Sequence, residues 1–146
     1  MDKKIKVLFT GNKNMEPVYA SEHAAGADLK ADIKEPAQIP PGGRILLPTG
    51  INLAIPKGWE AQVRPRSGLA LKKGLTVLNS PGTIDSDYRG EVKVILINLS
   101  AETQKIEPEE RIAQLVFSEV TTADFTYTES LPETSRGSGG FGSTGK

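Results

Sequence analysis

Apolar and polar residues alternate in short runs along the chain, and most runs end at proline or glycine. Ile5-Lys6-Val7-Leu8-Phe9 reads as an opening strand. Arg44-Ile45-Leu46-Leu47 stops at Pro48-Thr49-Gly50, and Ile51 to Ile55 alternates as far as Pro56-Lys57-Gly58. Trp59 to Val63 ends ahead of Pro65, and Leu75 to Leu78 ends at Asn79-Ser80-Pro81-Gly82. Glu91 to Ile97 has the strongest strand pattern, followed by Ile112 to Val120. Short runs with frequent turn signals predict an all-β sandwich or barrel. One short helix is expected, with Ser67 as its N-cap, Leu69 to Lys72 as its body and Gly74 as its left-handed stop.

The pattern fades towards the end. Thr121 to Thr134 is polar, with Phe125, Tyr127 and Leu131 as its expected anchors. Arg136 to Lys146 holds five glycines, three Ser/Thr and one Phe. That composition predicts a tail mobile in the free protein. The expected division is a β-barrel over residues 1–120 and a C-terminal arm with a Gly-rich lid over 121–146.

Composition narrows the chemistry. The chain has 146 residues, the size of one domain, with 18 Lys plus Arg against 18 Asp plus Glu. A net charge of zero gives no bulk field for nucleic acid or a membrane surface, so any anion must meet a local cluster. Cysteine is absent and His23 is the sole histidine. Thiolate zinc sites, cysteine nucleophiles and two-histidine metal sites are excluded, and a carboxylate becomes the expected proton acceptor. His23 is assigned no role. No apolar run reaches membrane-span length, and the opening run is too short and interrupted for a signal peptide. A cytoplasmic location is the expectation.

Four stretches and the tail carry candidate chemistry. Arg64-Pro65-Arg66-Ser67-Gly68-Leu69 places guanidinium groups before a helix start, an arrangement suited to an anion. Pro81 to Gly90 reads as a hairpin between Leu75–Leu78 and Val92–Ile97; strand geometry would put Asp85 and Asp87 on one side, with Tyr88 next. One carboxylate there can serve as a general base. Ala24 to Leu29 carries Asp28 among small residues and reads as a turn. Gln114 interrupts an apolar strand. In the tail, Gly140-x4-Gly145-Lys146 resembles the opening of a P-loop but lacks the following Ser/Thr, the strand and the helix. What remains is a flexible backbone with Ser143, Thr144 and Arg136, suited to a polyphosphate.

In this order, Ala25-Gly26-Ala27-Asp28-Leu29, Pro65-Arg66-Ser67-Gly68-Leu69-Ala70, Asn79 through Gly90, Arg111-Ile112-Ala113-Gln114-Leu115 and Arg136 through Gly145 resemble the motifs of the trimeric deoxyuridine triphosphate nucleotidohydrolase (dUTPase) family. Ala27 departs from the larger apolar or aromatic residue frequent there. The resemblance implies a jelly-roll subunit, a homotrimer with shared active sites, and hydrolysis of dUTP to dUMP and pyrophosphate with Mg²⁺. That reaction would limit uracil in DNA and supply dUMP for dTMP synthesis.

It also implies roles. Asp85 would activate the water that attacks the α-phosphorus. Tyr88 would lie under the deoxyribose. Asn79 and the backbone of Gly82, Thr83 and Ile84 would read uracil. Arg66, Ser67, Gly68 and Gln114 would hold phosphates, and Asp28 would reach the metal through water. Arg136, Phe141, Gly142, Ser143 and Thr144 would close over the nucleotide. Stable nucleic-acid or membrane binding is not expected. Two alternatives stand beside this reading: deamination of a deoxycytidine nucleotide, and a non-catalytic module presenting the same surface to a protein.

Overall fold

The computed structural model describes residues 3–145. Eleven strands and one helix follow in the order β1 (Leu8–Gly11), β2 (Val18–Tyr19), β3 (Ala27–Lys30), β4 (Ala37–Ile39), β5 (Arg44–Ala54), β6 (Trp59–Arg64), α1 (Ser67–Lys73), β7 (Leu75–Val77), β8 (Gly82–Ile84), β9 (Glu91–Asn98), β10 (Gln104–Ile106) and β11 (Arg111–Glu119). A 3-10 turn, Lys13–Met15, follows β1. The strands form a four-stranded sheet, β1-β5-β9-β7, a five-stranded sheet, β2-β3-β11-β6-β8, and a pair, β10-β4. Every pairing is antiparallel. This is the expected all-β jelly roll with one short helix.

The core lies between the two larger sheets and follows the two-residue period of a strand. In β9, Val92, Val94 and Leu96 are buried, while Lys93 is exposed on the opposite face. In β5, Leu47, Ile51 and Leu53 point inward, and in β11 Ala113 and Leu115 do the same. Each such aliphatic side chain contributes about 1.5–3 kcal/mol on burial.

Several sequence expectations need correction. Arg44–Leu47 and Ile51–Ile55, expected as two strands, belong to one eleven-residue strand, β5. Pro48-Thr49-Gly50 shifts its register and does not end it. Side-chain and backbone bonds hold the chain through this stretch. Gly50 N–H donates to Glu91 Oε2 at 3.1 Å, the Thr49 hydroxyl donates to the Val92 carbonyl, and the Gly50 carbonyl accepts from Asn12 N–H. The opening strand is Leu8–Gly11, which overlaps the predicted run at Leu8 and Phe9 and ends two residues beyond it, because its ladder partners are Ile51 to Ala54.

Ala24–Leu29, expected as a turn, ends in strand β3, held between β2 and β11. Small residues conceal a strand whose pairing is supplied by neighbours. Ser67 is the first helical residue and not the cap. Arg66 holds the N-cap position in extended conformation, without a side-chain cap bond. Gly74 is the C-cap at φ 64°, as expected. Phe125 and Tyr127 do not anchor their segment: they are 93% and 89% exposed, and Leu131 is also exposed.

One polar side chain organises the end opposite the strand-start of β9. Asn98 is fully buried. Its amide donates to the Ile39 and Glu102 carbonyls at 2.8 and 2.7 Å, and its oxygen accepts from Ser100 N–H and Ser100 Oγ. It therefore ties β4, β9 and the following loop together. Asn98→Ala leaves the Ile39 carbonyl and the Ser100 N–H without their side-chain partner, while the Ser100 hydroxyl keeps its bond to the Glu102 carbonyl. Its urea midpoint is expected to fall by the equivalent of about 2–4 kcal/mol with an unchanged slope.

Candidate active site

The site begins with a strand that ends early. β7 pairs with β9 from Leu75↔Asn98 to Val77↔Leu96, and Leu78 N–H adds a last bond to the Ile95 carbonyl. The chain then crosses to the other sheet, where Gly82↔Val63, Thr83↔Gln62 and Ile84↔Ala61 pair β8 with β6. β7 and β9 are thus hairpin partners as expected, but the connection contains a strand of the opposite sheet. Between β8 and the uncovered start of β9 lies a cleft of about 400 Å³. Asn79, Gly82, Thr83, Ile84, Asp85 and Tyr88 line it, together with Leu46, Val63, Glu91, Val92 and Lys93.

The connection back to β9 is a turn and not a strand. Tyr88 N–H donates to the Asp85 carbonyl at 3.1 Å. Strand alternation therefore does not relate Asp85 to Asp87, and Asp87 does not line the cleft. Asp85 is exposed at the end of β8. The Tyr88 hydroxyl donates to the Glu91 carbonyl at 2.9 Å, fixing the ring while leaving it 46% exposed. Gly90 makes this possible: a Cβ there would stand 2.3 Å from the Tyr88 hydroxyl oxygen. Gly82 lies so close to Asn79 that a Cβ would meet its Nδ2 at 3.2 Å.

A second group of predicted residues gathers on β3, β11 and the start of α1. Asp28 is 8% exposed. Its Oδ1 accepts from Arg66 Nε at 3.0 Å, and its Oδ2 lies 3.6 Å from Arg111 Nη1. Arg66 also donates to the Arg111 carbonyl at 3.4 Å. Opposite Asp28 in the ladder, Gln114 donates from Nε2 to the Pro65 carbonyl at 2.9 Å. Gly26 leaves room for that amide, since a Cβ would stand 2.1 Å from Gln114 Oε1. Ser67 and Gly68 are exposed on the first turn of α1. Two guanidinium groups around one carboxylate leave this cluster net positive.

None of Asp28, Arg66, Ser67, Gly68 or Gln114 lines the cleft that holds Asp85. The tail does not line it either. Arg136 Nε donates to the nearby Gly139 carbonyl, and Phe141, Gly142, Ser143 and Thr144 are exposed. Lys146 lies outside the described residues. Sequence reasoning assigned no role to Arg111, Glu91 or Lys93. The outward phase of β9 was a usable signal for the last two. Nothing local marks Arg111, whose contact with Asp28 depends on a strand pairing 83 positions away.

Residues 13–145 match the family model for dUTPase. The chain is 65% identical over 130 residues to a deoxyuridine 5'-triphosphate nucleotidohydrolase of Chlamydia pneumoniae, covering 88% of this chain and 90% of that protein. A nucleotidohydrolase of the same description from Fusobacterium nucleatum is 52% identical over 145 residues, covering 99% of each. In fold, the chain resembles the dUTPase of Staphylococcus bacteriophage 80alpha solved with dUpNHpp, at a TM-score of 0.86 and 24% identity, over 98% of this chain and 100% of that one. It also resembles a variant dUTPase of the S. aureus phage phi11, solved to show a structural Mg(II) ion. There the TM-score is 0.77 with 19% identity, over 88% of this chain and all of the other.

Asp28→Ala leaves two guanidinium groups without the carboxylate between them. The expected loss is about 1–3 kcal/mol, smaller than for a fully buried pair because Arg111 is half-exposed. Urea unfolding monitored through Trp59 fluorescence measures it, and the loss should diminish in high salt.

Proposed function

The chain belongs to the dUTPase family, and from that premise we propose that it hydrolyses dUTP to dUMP and pyrophosphate in sites completed by neighbouring copies of itself. The observation that carries the proposal is the cleft itself. One chain brings together Asn79, the β8 backbone, Asp85 and Tyr88, while Arg66, Ser67, Gly68 and Gln114 stand elsewhere. A homotrimer with shared sites supplies the missing half.

The uracil end follows from sheet topology. β8 is the outermost strand of its sheet, bonded to β6 on one side. Its other edge carries unpaired N–H and C=O groups facing the cleft, a template for a planar ligand that offers donors and acceptors in sequence. Uracil presents O4 and N3–H, whereas cytosine presents the opposite polarity. Leaving the strand edge unpaired in that way can discriminate by about 10⁴–10⁵. Asn79 beside Gly82 adds a side-chain amide to the same edge.

Tyr88 serves the sugar. Its hydroxyl is already engaged by the Glu91 carbonyl, so the ring is a fixed apolar floor and not a hydrogen-bonding group. A 2'-hydroxyl set against that floor would lose water without gaining a partner. Asp85, exposed at the cleft wall, holds the attacking water and takes its proton as that water approaches the α-phosphorus in line. The P–O bond to the bridging oxygen then breaks and pyrophosphate leaves.

The phosphates are met by the Arg66 cluster. Asp28 holds Arg66 by Nε and the Arg111 carbonyl accepts from Nη1, which leaves Nη2 for phosphate oxygens. Ser67 and Gly68 add a hydroxyl and backbone N–H groups. No group of three or more metal-ligating side chains occurs among the described residues. A Mg²⁺ carried by phosphate oxygens and water fits that donor set, as the ion keeps much of its hydration. Asp28, with a lone pair to spare on each oxygen, is the residue that would hold its water shell. When bound, the ion offsets phosphate charge and orients the chain of phosphates.

Residues 1–120 are the barrel in this reading, and 121–146 are an arm that closes over the nucleotide. Phe141 would stack on uracil, with Arg136, Gly142, Ser143 and Thr144 on the phosphates. Closure excludes water and is reversed for product release. The setting is cytoplasmic nucleotide metabolism, removing dUTP and supplying dUMP, with no stable nucleic-acid or membrane partner. No helix among the described residues is long and apolar enough to cross a membrane.

Asp85→Asn is expected to bind dUpNHpp with near-unchanged affinity and to lose about 10²–10⁴-fold in pyrophosphate release from dUTP. Unaltered turnover would remove Asp85 as the base. Ending the chain after Ser135 is expected to leave the thermal transition in place and to lower kcat by about 10²-fold or more. A fully active truncated enzyme would refute the lid. Wild-type assays with dUTP, UTP, dCTP and dTTP, with and without Mg²⁺, test selectivity and metal use. Ammonia release from dCTP would favour deamination instead.

A further inference from the structure

We propose that Glu91 is a positioning residue for sugar selection: its side chain grips the bulge of β5 and so holds the Tyr88 ring where a 2'-hydroxyl is refused. This rests on the dUTP reading of the Asp85 cleft. Tyr88 is half-exposed, so packing alone does not fix its ring. The two residues that follow Arg89 do. The ring lies against Gly90, where a Cβ would stand 2.5 Å from Cζ and 2.8 Å from Cε1. Its hydroxyl donates to the Glu91 carbonyl at 2.9 Å, the one side-chain hydrogen bond it makes among the described residues. The floor offered to a deoxyribose is therefore only as steady as the backbone of Gly90 and Glu91.

That backbone lies where the sheet gives least support. β7 pairs with β9 only from Leu96 onward, so Glu91 has no strand partner on that flank. On the other flank β5 is bulged. Pairing stops at Pro48↔Lys93 and resumes at Asn52↔Glu91, so Thr49, Gly50 and Ile51 stand against Val92 alone. A bulge leaves the ladder locally broken. Side chains supply the attachment instead. Glu91 Oε2 accepts from Gly50 N–H at 3.1 Å, and Asn52 Nδ2 donates to the Arg89 carbonyl at 2.8 Å. These two bonds bracket Gly90 and fasten the segment beside Tyr88 to β5. Gly50 is itself firmly held. Asp32 closes over it, with Oδ2 2.2 Å from where a Cβ would be, and its carbonyl accepts from Asn12 N–H at 2.8 Å.

A second carboxylate beside Asp85 is otherwise out of place on a wall that must admit a triphosphate. Its bond to Gly50 gives it a use that does not depend on charge. An anchor needs an acceptor oxygen, and a glutamine side chain keeps one at the same reach. Without the anchor Tyr88 is still present, but the Glu91 carbonyl and the ring bonded to it can shift. Space then opens beside the 2' position, and the ribonucleotide gains from it more than dUTP does.

The test measures kcat/KM for dUTP and for UTP by pyrophosphate release, using the full-length protein as wild type, Glu91→Ala, Glu91→Gln, Tyr88→Phe and the double variant of Glu91→Ala with Tyr88→Phe. Glu91→Ala should lower the dUTP-to-UTP ratio by about tenfold, and Glu91→Gln should keep most of the wild-type selectivity. Tyr88→Phe cuts the link between ring and carbonyl. It should lower the ratio as well, and the double variant should lose no more than Tyr88→Phe alone. Thr49→Val loosens the same bulge at its bond to the Val92 carbonyl without touching that link. It should lower the thermal midpoint and leave the ratio in place. A wild-type ratio in Glu91→Ala would overturn the proposal alone. So would a fall in Glu91→Gln equal to that in Glu91→Ala, which would make charge the cause. Additive losses in the double variant, or a ratio in Thr49→Val as low as in Glu91→Ala, would do the same. A wild-type protein releasing no pyrophosphate from dUTP would overturn the dUTP reading, and the proposal with it.

Discussion

The chain leaves one sheet and joins the other between Val77 and Gly82, and the candidate chemistry follows from that crossing. β9 loses its neighbour halfway along, so its first residues have an uncovered flank. β8 arrives in the opposite sheet as an edge strand with one side bare. Two incomplete edges face a common space, and their unpaired backbone groups must be satisfied by water or by a ligand. A barrel that paired both edges would be more closed and would have nowhere to read a base. Tyr88 braces the space, since its hydroxyl takes a β9 carbonyl that β7 would otherwise have approached.

Charge is distributed to match. The chain has no net field, so electrostatics acts through proximity. The cleft wall gathers acids, while the β3–β11–α1 corner gathers two arginines around one nearly buried carboxylate. Neither half suits a nucleoside triphosphate alone. The first offers a base and an edge for the nucleobase but repels phosphates, and the second offers cations but no pocket for a base. Dividing them lets Asp85 stay clear of arginines that would otherwise bond to it, and leaves it open to a water molecule. In the proposed homotrimer, joining the halves across copies would bring cation and base together around a nucleotide.

What could be read from the sequence depended on whether the relevant physics was local. Val92, Val94 and Leu96 announce β9 because a two-residue period survives any context. Gly74 announces its helix end because few other residues adopt its φ of 64° without strain. Pro48-Thr49-Gly50 misleads, because the partners that keep β5 continuous, Glu91 and Val92, lie some forty positions away. Asp28 sits in a strand that its small neighbours do not advertise, and its two arginines come from α1 and β11. Asp85 and Tyr88 stand out as unusual loop residues, yet the turn that joins them, and the exclusion of Asp87, depend on how the chain returns to β9.

The end of the chain carries the same logic further. Val120 makes the last backbone bond to the barrel, to the Gly58 carbonyl. Beyond it, among the described residues, side-chain and non-local backbone bonds run only within the arm itself. Phe125, Tyr127 and Phe141 nonetheless stand in solvent, each exposing an area whose burial would contribute about 2–3 kcal/mol. Holding the eleven terminal residues in one conformation costs roughly 1–2 kcal/mol apiece if all are fully fixed. One stacked ring cannot offset that sum. Closure must therefore draw on the ligand's phosphates and on Arg136 as well as on Phe141, so a neutral nucleoside should not hold the lid shut. On the proposed reading, an arm so balanced would close on a triphosphate and release once pyrophosphate has left, and cleavage itself would open the site.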